Sequence, residues 1–205
     1  MKPLLVLIAQ AHGKDTYGKC SPNRQLLEYR WSREVSVMLK NDLERLNFDA
    51  IIINPEENEV PLYVQAKRVN EIYDREKKNY REIILVSMHV NASAGSGWSD
   101  ASGWTVYVYN KAGKDSITLA KCLADVAYNK YELQGNRYIP EDKIFRANFA
   151  ILRQTKTPAI LSENMFMTNR DDMKYLLSEQ GKKNIVNLHV VGIIQYFQKK
   201  MVQSK

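Results

Sequence analysis

The chain has 205 residues, 44% hydrophobic and 26% charged, with 30 Lys and Arg against 23 Asp and Glu. That apolar fraction excludes wholesale disorder; no apolar run reaches the roughly 18 residues of a membrane span; and two cysteines, Cys20 and Cys122, cannot build a disulfide framework or a thiolate zinc site. The formal net charge of +7 invites an anionic partner, and nucleic acid is the first to test.

In chain order, Met1-Lys2-Pro3 followed by Leu4 to Ala9 has the outline of an export signal. The apolar run is short for that purpose and no small-x-small cleavage site follows it, so it reads better as a first buried strand. Further strand-length apolar runs follow at Ala50 to Ile53, Ile83 to Met88 and Ala159 to Ser162. Thr105 to Tyr109, rich in β-branched and aromatic residues, predicts another strand, and Phe149 to Leu152 is a further candidate. Helical periodicity covers about Leu26 to Leu46, Pro61 to Asn79, Ser116 to Tyr128, Asp171 to Glu179 and Lys182 to Lys199. This alternation predicts an α/β fold, one domain over 1–205, with a largely parallel twisted sheet flanked by helices on both faces. No repeat, low-complexity tract or linker marks a second module.

The positive charge is not placed for reading nucleic acid. Lys182 to Lys205 holds five lysines and no acid, which is most of the net charge. Lys67 to Glu82 is dense but mixed, with six basic residues against four acidic, as on a solvated helix face. No basic stripe is interleaved with stacking aromatics. The charge suits loose attraction to a polyanion and no specific nucleic-acid contact.

Three buried runs end in chemistry. Leu4 to Ala9 leads into His12, Ile83 to Met88 into His89, and Ala159 to Ser162 into Glu163. In open α/β sheets, ligands bind outside the carboxyl ends of the strands. The first long helix carries an apolar stripe of Trp31, Val35, Met38, Leu39, Leu43 and Leu46, and Glu28 falls within it. An inward carboxylate is costly unless it is paired or metal-bound. Asp42 falls in the stripe as well, so the projection does not choose between them. His12, Glu28 and His89 would form a His₂Glu set, the usual catalytic zinc arrangement with one position left for water. Their spacing carries no local signature, and on the residues alone the plainer reading of hydrogen-bonded loop histidines stays open.

At these residues the chain resembles the zinc-dependent N-acetylmuramoyl-L-alanine amidases of the amidase-3 type, which cut peptidoglycan. Gln10-Ala11-His12-Gly13 is similar to the family's first His-Gly motif, and Glu28 stands where its metal-binding Glu opens the first long helix. Ser87-Met88-His89-Val90-Asn91-Ala92 resembles its Ser-Ile-His-x-Asn-Ala motif. Pro158 to Glu163, with Phe166 and Asn169, resembles its Pro-Ala-x-Leu-x-Glu-x-x-Phe-x-x-Asn segment. The usual Asp-Pro-Gly before the first His-Gly is replaced by Ala9-Gln10-Ala11, and the Thr16 to Pro22 loop and the Glu28 to Arg33 start resemble a phage and gut-bacterial, endolysin-like branch.

The resemblance implies Zn²⁺ held by His12, Glu28 and His89, with Glu163 as the catalytic carboxylate that moves the water proton to the departing L-alanine nitrogen. It implies peptidoglycan as partner, and a monomer without membrane insertion or a separate wall-binding domain is expected. Asn91, Trp98 and Arg146 are candidate substrate contacts. Trp98 lies in the Gly/Ser-rich segment Ser93 to Gly103, which reads equally as a groove wall or a flexible connection. His189, on an apolar helix face, is expected to be a core residue, and Cys20 and Cys122 free thiols. Without an export signal the expected location is the cytoplasm until lysis; the alternative is export with the signal missing from this chain. Competing functions are another zinc peptidase or carboxypeptidase on the same scaffold, or a non-catalytic wall-binding protein.

Overall fold

The computed structural model describes residues 1–95 and 97–203. Ser96, inside the Ser93 to Gly103 segment, and Ser204 and Lys205, at the end of the lysine-rich segment, lie outside the described residues. The elements run β1 (Lys2–Gln10), α1 (Glu28–Arg45), β2 (Asp49–Ile52), α2 (Leu62–Glu76), β3 (Tyr80–Asn91), β4 (Thr105–Tyr109), α3 (Lys114–Asn129), β5 (Phe145–Ala147), α4 (Ala150–Arg153), β6 (Ala159–Phe166), α5 (Arg170–Leu177) and α6 (Glu179–Gln203). They build a six-stranded sheet in the order β2-β1-β3-β6-β4-β5. β1 is parallel to β2 and β3, and β3 to β6, whereas β4 meets β6 antiparallel and carries β5 parallel to itself. The α/β class and the largely parallel sheet are as the strand–helix alternation predicts.

Alternation along the strands divides the core in two. Leu4, Val6 and Ile8 of β1, with Ile84, Val86 and Met88 of β3, face α1, α3, α5 and α6. Leu5, Leu7 and Ala9, with Ile83 and Leu85, face α2 and α4. Burial on both sides is why these strands read as continuous apolar runs. The second face is thinly covered, since α4 is a single turn of four residues.

Phe149 to Leu152 is not a strand. Ile151 and Leu152 are both buried in the same core, which adjacent strand residues cannot do, because their side chains point to opposite faces. A helical turn puts both inward, and the edge strand is β5, just before it. The strands also outrun the apolar patterns: β3 continues through His89 to Asn91, and β6 through Glu163 to Phe166.

The lysine-rich terminal segment is partly engaged within the fold. Lys182 pairs with Glu34 at 2.7 Å, and Lys200 lies 2.9 Å from Asp115 and 3.3 Å from Glu82. Among the described residues no helix is long and apolar enough to cross a membrane.

Candidate active site

Three strands and one helix deliver the side chains to one end of the sheet. β1 leads into His12, β3 carries His89 within its last turn of pleat, and β6 carries Glu163 beside it, because His89 and Glu163 are register partners. α1 supplies Glu28 from its first residue. A short bridge between Cys20 and Leu27 and the bond from Glu28 N–H to the Lys19 carbonyl (3.0 Å) set where that helix starts. Ser32, one turn on, accepts from Ala11 N–H (2.9 Å) and donates to the Met88 carbonyl (2.7 Å). α1 is thereby tied to the ends of β1 and β3 together.

Glu28 is only 2% exposed, a placement that costs a carboxylate several kcal/mol unless it is compensated. The compensation is visible. Oε1 accepts from Val90 N–H at 3.0 Å and lies 3.2 Å from His89 Nδ1, and Oε2 lies 3.7 Å from His12 Nε2. Burial pushes the Glu28 carboxyl pKa up, but His89, His12 and the Val90 N–H outweigh it and hold the value below the usual carboxylate range. Burial likewise works against protonation of His89, and Glu28 overcomes it, so that pKa is raised. His12 is lowered, chiefly by burial, with the Glu28 charge a partial offset.

Ligand atoms of His12, Glu28 and His89 all lie within 4.8 Å of one another. Donors about 2.0–2.1 Å from a tetrahedral zinc centre stand about 3.4 Å apart; Glu28 Oε1 is 3.2 Å from His89 Nδ1, and the other carboxylate oxygen, Oε2, is 3.7 Å from His12 Nε2. Two imidazoles and a carboxylate are also the donor types that zinc takes. The set has the donor types and the mutual proximity that a zinc site needs. Asp42, the other acid in the α1 stripe, is half-exposed and pairs with Arg45 at 2.8 Å.

The loop carrying His12 is locked from behind. His12 sits in the left-handed region (φ 47°), an uncommon place for a residue with a side chain. Its carbonyl accepts from Arg33 Nη1 at 2.9 Å. Glu59 Oε2 accepts from Gly13 N–H and Thr16 Oγ1, each at 2.7 Å, and lies 3.6 Å from His12 Nδ1. The imidazole therefore has one nitrogen toward Glu28 and the other toward Glu59. Gly13 permits this approach: a Cβ there would stand 1.9 Å from the Glu59 backbone nitrogen. Glu59 carries no sequence signal, and Arg33 is marked only as the end of the Glu28 to Arg33 segment, without a role. Both are polar residues whose role depends on which loop lies opposite.

Glu163 stands beside the three donors with Oε2 shut off from solvent and lacking a hydrogen-bond partner. Burial raises its pKa to about 7, with the charge of His89 a smaller opposing influence. Asn164 donates to the His89 carbonyl at 2.8 Å and accepts from Trp104 Nε1 at 2.8 Å, so the strand next to Glu163 is held to β3 and to the core.

The three other candidates have these surroundings. The Asn91 side chain accepts from Ala92 N–H at 2.9 Å, a local turn contact. Trp98 is half-buried, with the Arg170 guanidinium 4.3 Å from its ring centre. Its segment is anchored, since Ser93 N–H donates to Thr168 Oγ1 (3.0 Å) and Gly103 N–H to Asp172 (3.0 Å). Arg146 pairs with Asp142 at 2.6 Å, and as the register partner of the core residue Val108 it lies on the opposite face from Glu163. His189 is a core residue as expected: Nδ1 meets the Ile185 carbonyl (2.8 Å), Nε2 meets Ser162 Oγ (2.9 Å), and burial lowers its pKa to about 4. Asn169, of the third motif, caps α5 by accepting from Asp171 and Asp172 N–H. Cys20 and Cys122 are free thiols.

Three donors suited to a metal, with a half-buried carboxylate alongside at the strand ends of an α/β sheet, make a site of the kind metal-dependent hydrolases use. The sequence pattern of the N-acetylmuramoyl-L-alanine amidase family matches residues 6–195, and the chain belongs to that family. Among curated relatives it is 30% identical over 129 residues to the endolysin of Bacillus phage SPP1, covering 61% of this chain and 45% of that one. It is 24% identical to the amidase CwlM of Bacillus licheniformis, covering 94% and 68%. The fold matches an N-acetylmuramoyl-L-alanine amidase from Clostridium difficile 630 with a TM-score of 0.83 at 22% identity, covering 98% of this chain and 100% of that one. It also matches AmiC2 of Nostoc punctiforme, with a TM-score of 0.77 at 26% identity, covering 96% and 98%. The chain thus spans less than half the phage endolysin's length and about two thirds of CwlM.

Proposed function

We propose that the protein is a zinc-dependent amidase that cleaves the bond between N-acetylmuramate and L-alanine in peptidoglycan. The observation that carries this reading is the half-buried Glu163 carboxylate, its Oε2 enclosed and unpartnered, set beside His12, Glu28 and His89 in a chain of the amidase family. His12, Glu28 and His89 would hold the zinc, which when bound supplies Lewis acidity to polarise a carbonyl and to acidify water. Glu28 holds both imidazoles at the donor spacing, and Glu59 and Arg33 keep the His12 loop from turning away. Glu163, with a pKa near neutrality, takes the proton of the attacking water at its carboxylate and returns it to the departing L-alanine nitrogen.

Mass spectrometry of digested cell walls, with chelated enzyme as control, tests this. The expected products are peptides with a free L-alanine amino terminus, formed only without chelator. Cuts confined to bonds within the peptide would make it a peptidase instead, and chelator-insensitive release would remove the metal from the mechanism.

A further inference from the structure

The face of the sheet that carries Glu163 continues past it as a row of flat groups. Thr105 is the register partner of Glu163, and Tyr107 follows two residues on, facing the same way, paired in turn with Phe145 on β5. The Phe149 and Tyr107 rings are 5.3 Å apart, as are those of Tyr107 and Phe145. The Arg137 guanidinium then lies 5.2 Å from the Phe145 ring and 5.1 Å from that of Phe166. The row runs Phe149, Tyr107, Phe145, Arg137, Phe166, and the short α4 leaves Tyr107 and Phe145 half-exposed.

Its inner end holds an accumulation of unsatisfied polar atoms. Arg137 Nη1, Thr105 Oγ1 and Glu163 Oε2 are all buried without a hydrogen-bond partner. Arg137 is close enough for its charge to act on Glu163, yet among the described residues no carboxylate pairs with it. The guanidinium stands between two rings, and its N–H groups are what remains to bind a partner in the plane. They form a planar fork matching a carboxylate. Buried donors without partners are rare in folded proteins and mark places where another group belongs.

Resting on the amidase function proposed above, we propose that Arg137, set in this aromatic row, binds a free carboxylate of the peptide stem beyond the bond being cut. The rings provide an apolar bed for the peptide, and the guanidinium selects stems that carry a negative charge there over stems in which it is amidated.

Calorimetric titration of the zinc-loaded full chain tests this without turnover, using two product-like peptides. Both begin with L-alanine; one has a free carboxylate on its second residue and the other a carboxamide. The carboxylate peptide is expected to bind about tenfold tighter, as for a charge-assisted fork contact. Arg137→Gln should bring the two affinities together, and Arg137→Lys, which keeps the charge and loses the fork, should fall between. Equal binding by the unaltered protein, or a preference that survives in Arg137→Gln, overturns the proposal. The comparison in the unaltered protein stands even if the variant folds poorly. Failure to cleave cell walls counts against the amidase reading alone, since peptide preference is read from binding.

Discussion

His89 and Glu163 face each other as register partners on the parallel strands β3 and β6. The pairing sets an imidazole and a carboxylate side by side on hydrogen-bonded strands, not on a loop. Beyond it the register slips: Asn91 pairs with Phe166, so β6 carries one extra residue, with Met165 left-handed at φ 65°. The irregularity falls just past Glu163, and bulges are over-represented next to active sites.

Glu163→Gln is nearly isosteric and leaves His12, Glu28 and His89 untouched. It should retain zinc at the same stoichiometry and lose about 10²–10⁴-fold in turnover. Metal content and peptidoglycan release measured on one preparation check this, and full turnover would remove Glu163 from the proton path.

Glu59 reaches the far nitrogen of His12 and holds the loop after it. Outer partners of this kind are typically worth about 10–100-fold in metal affinity, so Glu59→Ala should weaken zinc binding by that order. Gly13→Ala should do at least as much, because its Cβ would collide with the Glu59 backbone. Competition against a chromophoric chelator measures both; unchanged affinity in Glu59→Ala would reduce that residue to a surface acid.

His189 predicts a dependence of stability on acid. In the native state it stays neutral down to about pH 4, against an ordinary value of 6.5, so below pH 6.5 the unfolded chain binds the extra proton. Its contribution is therefore fully present above pH 6.5 and is lost on acidification by up to about 1.4 kcal/mol per pH unit. It levels off below about pH 4. Denaturant melts of the zinc-loaded protein between pH 8 and 4, beside His189→Gln, isolate this slope. Identical slopes in the two proteins would show that the imidazole does not titrate in this way.

Gly192 lets α6 lie directly on α3. A Cβ there would stand 2.8 Å from Leu123 Cγ and 2.9 Å from its Cα, and the backbone contact cannot swing aside. Gly192→Ala gains about 1 kcal/mol of helix propensity and meets an overpacking cost of about 1–3 kcal/mol. The expected net result is a Tm lowered by a few degrees, read by thermal melts. A higher Tm would show that the two helices separate easily.

Much of this site is legible along the chain because it follows local rules. His89 and Glu163 come directly after an apolar run and His12 three residues past one, and a strand buried on both faces ends where polar residues resume. Fold class follows from the same alternation of runs and helical periods. The misread segment, Phe149 to Leu152, is short enough that strand and helical turn leave the same apolar trace, and only the shared burial of Ile151 and Leu152 separates them.

What the sequence by itself determined is therefore the set of strand-end donors and the α/β scaffold that collects them, since hydrophobic periodicity is a property of neighbours in the chain. The tertiary structure decided the rest. Glu28 and Asp42 are equivalent on a helical projection, and only the docking of α1 over the ends of β1 and β3 buries one and leaves the other paired with Arg45. Arg146 and Arg137 are both basic residues in one irregular stretch, and strand register sends the first to the far face while two rings hold the second toward Glu163. Glu59 meets His12 because two loops pack together. Positions such as these depend on contacts between distant segments, and no periodicity along the chain records them.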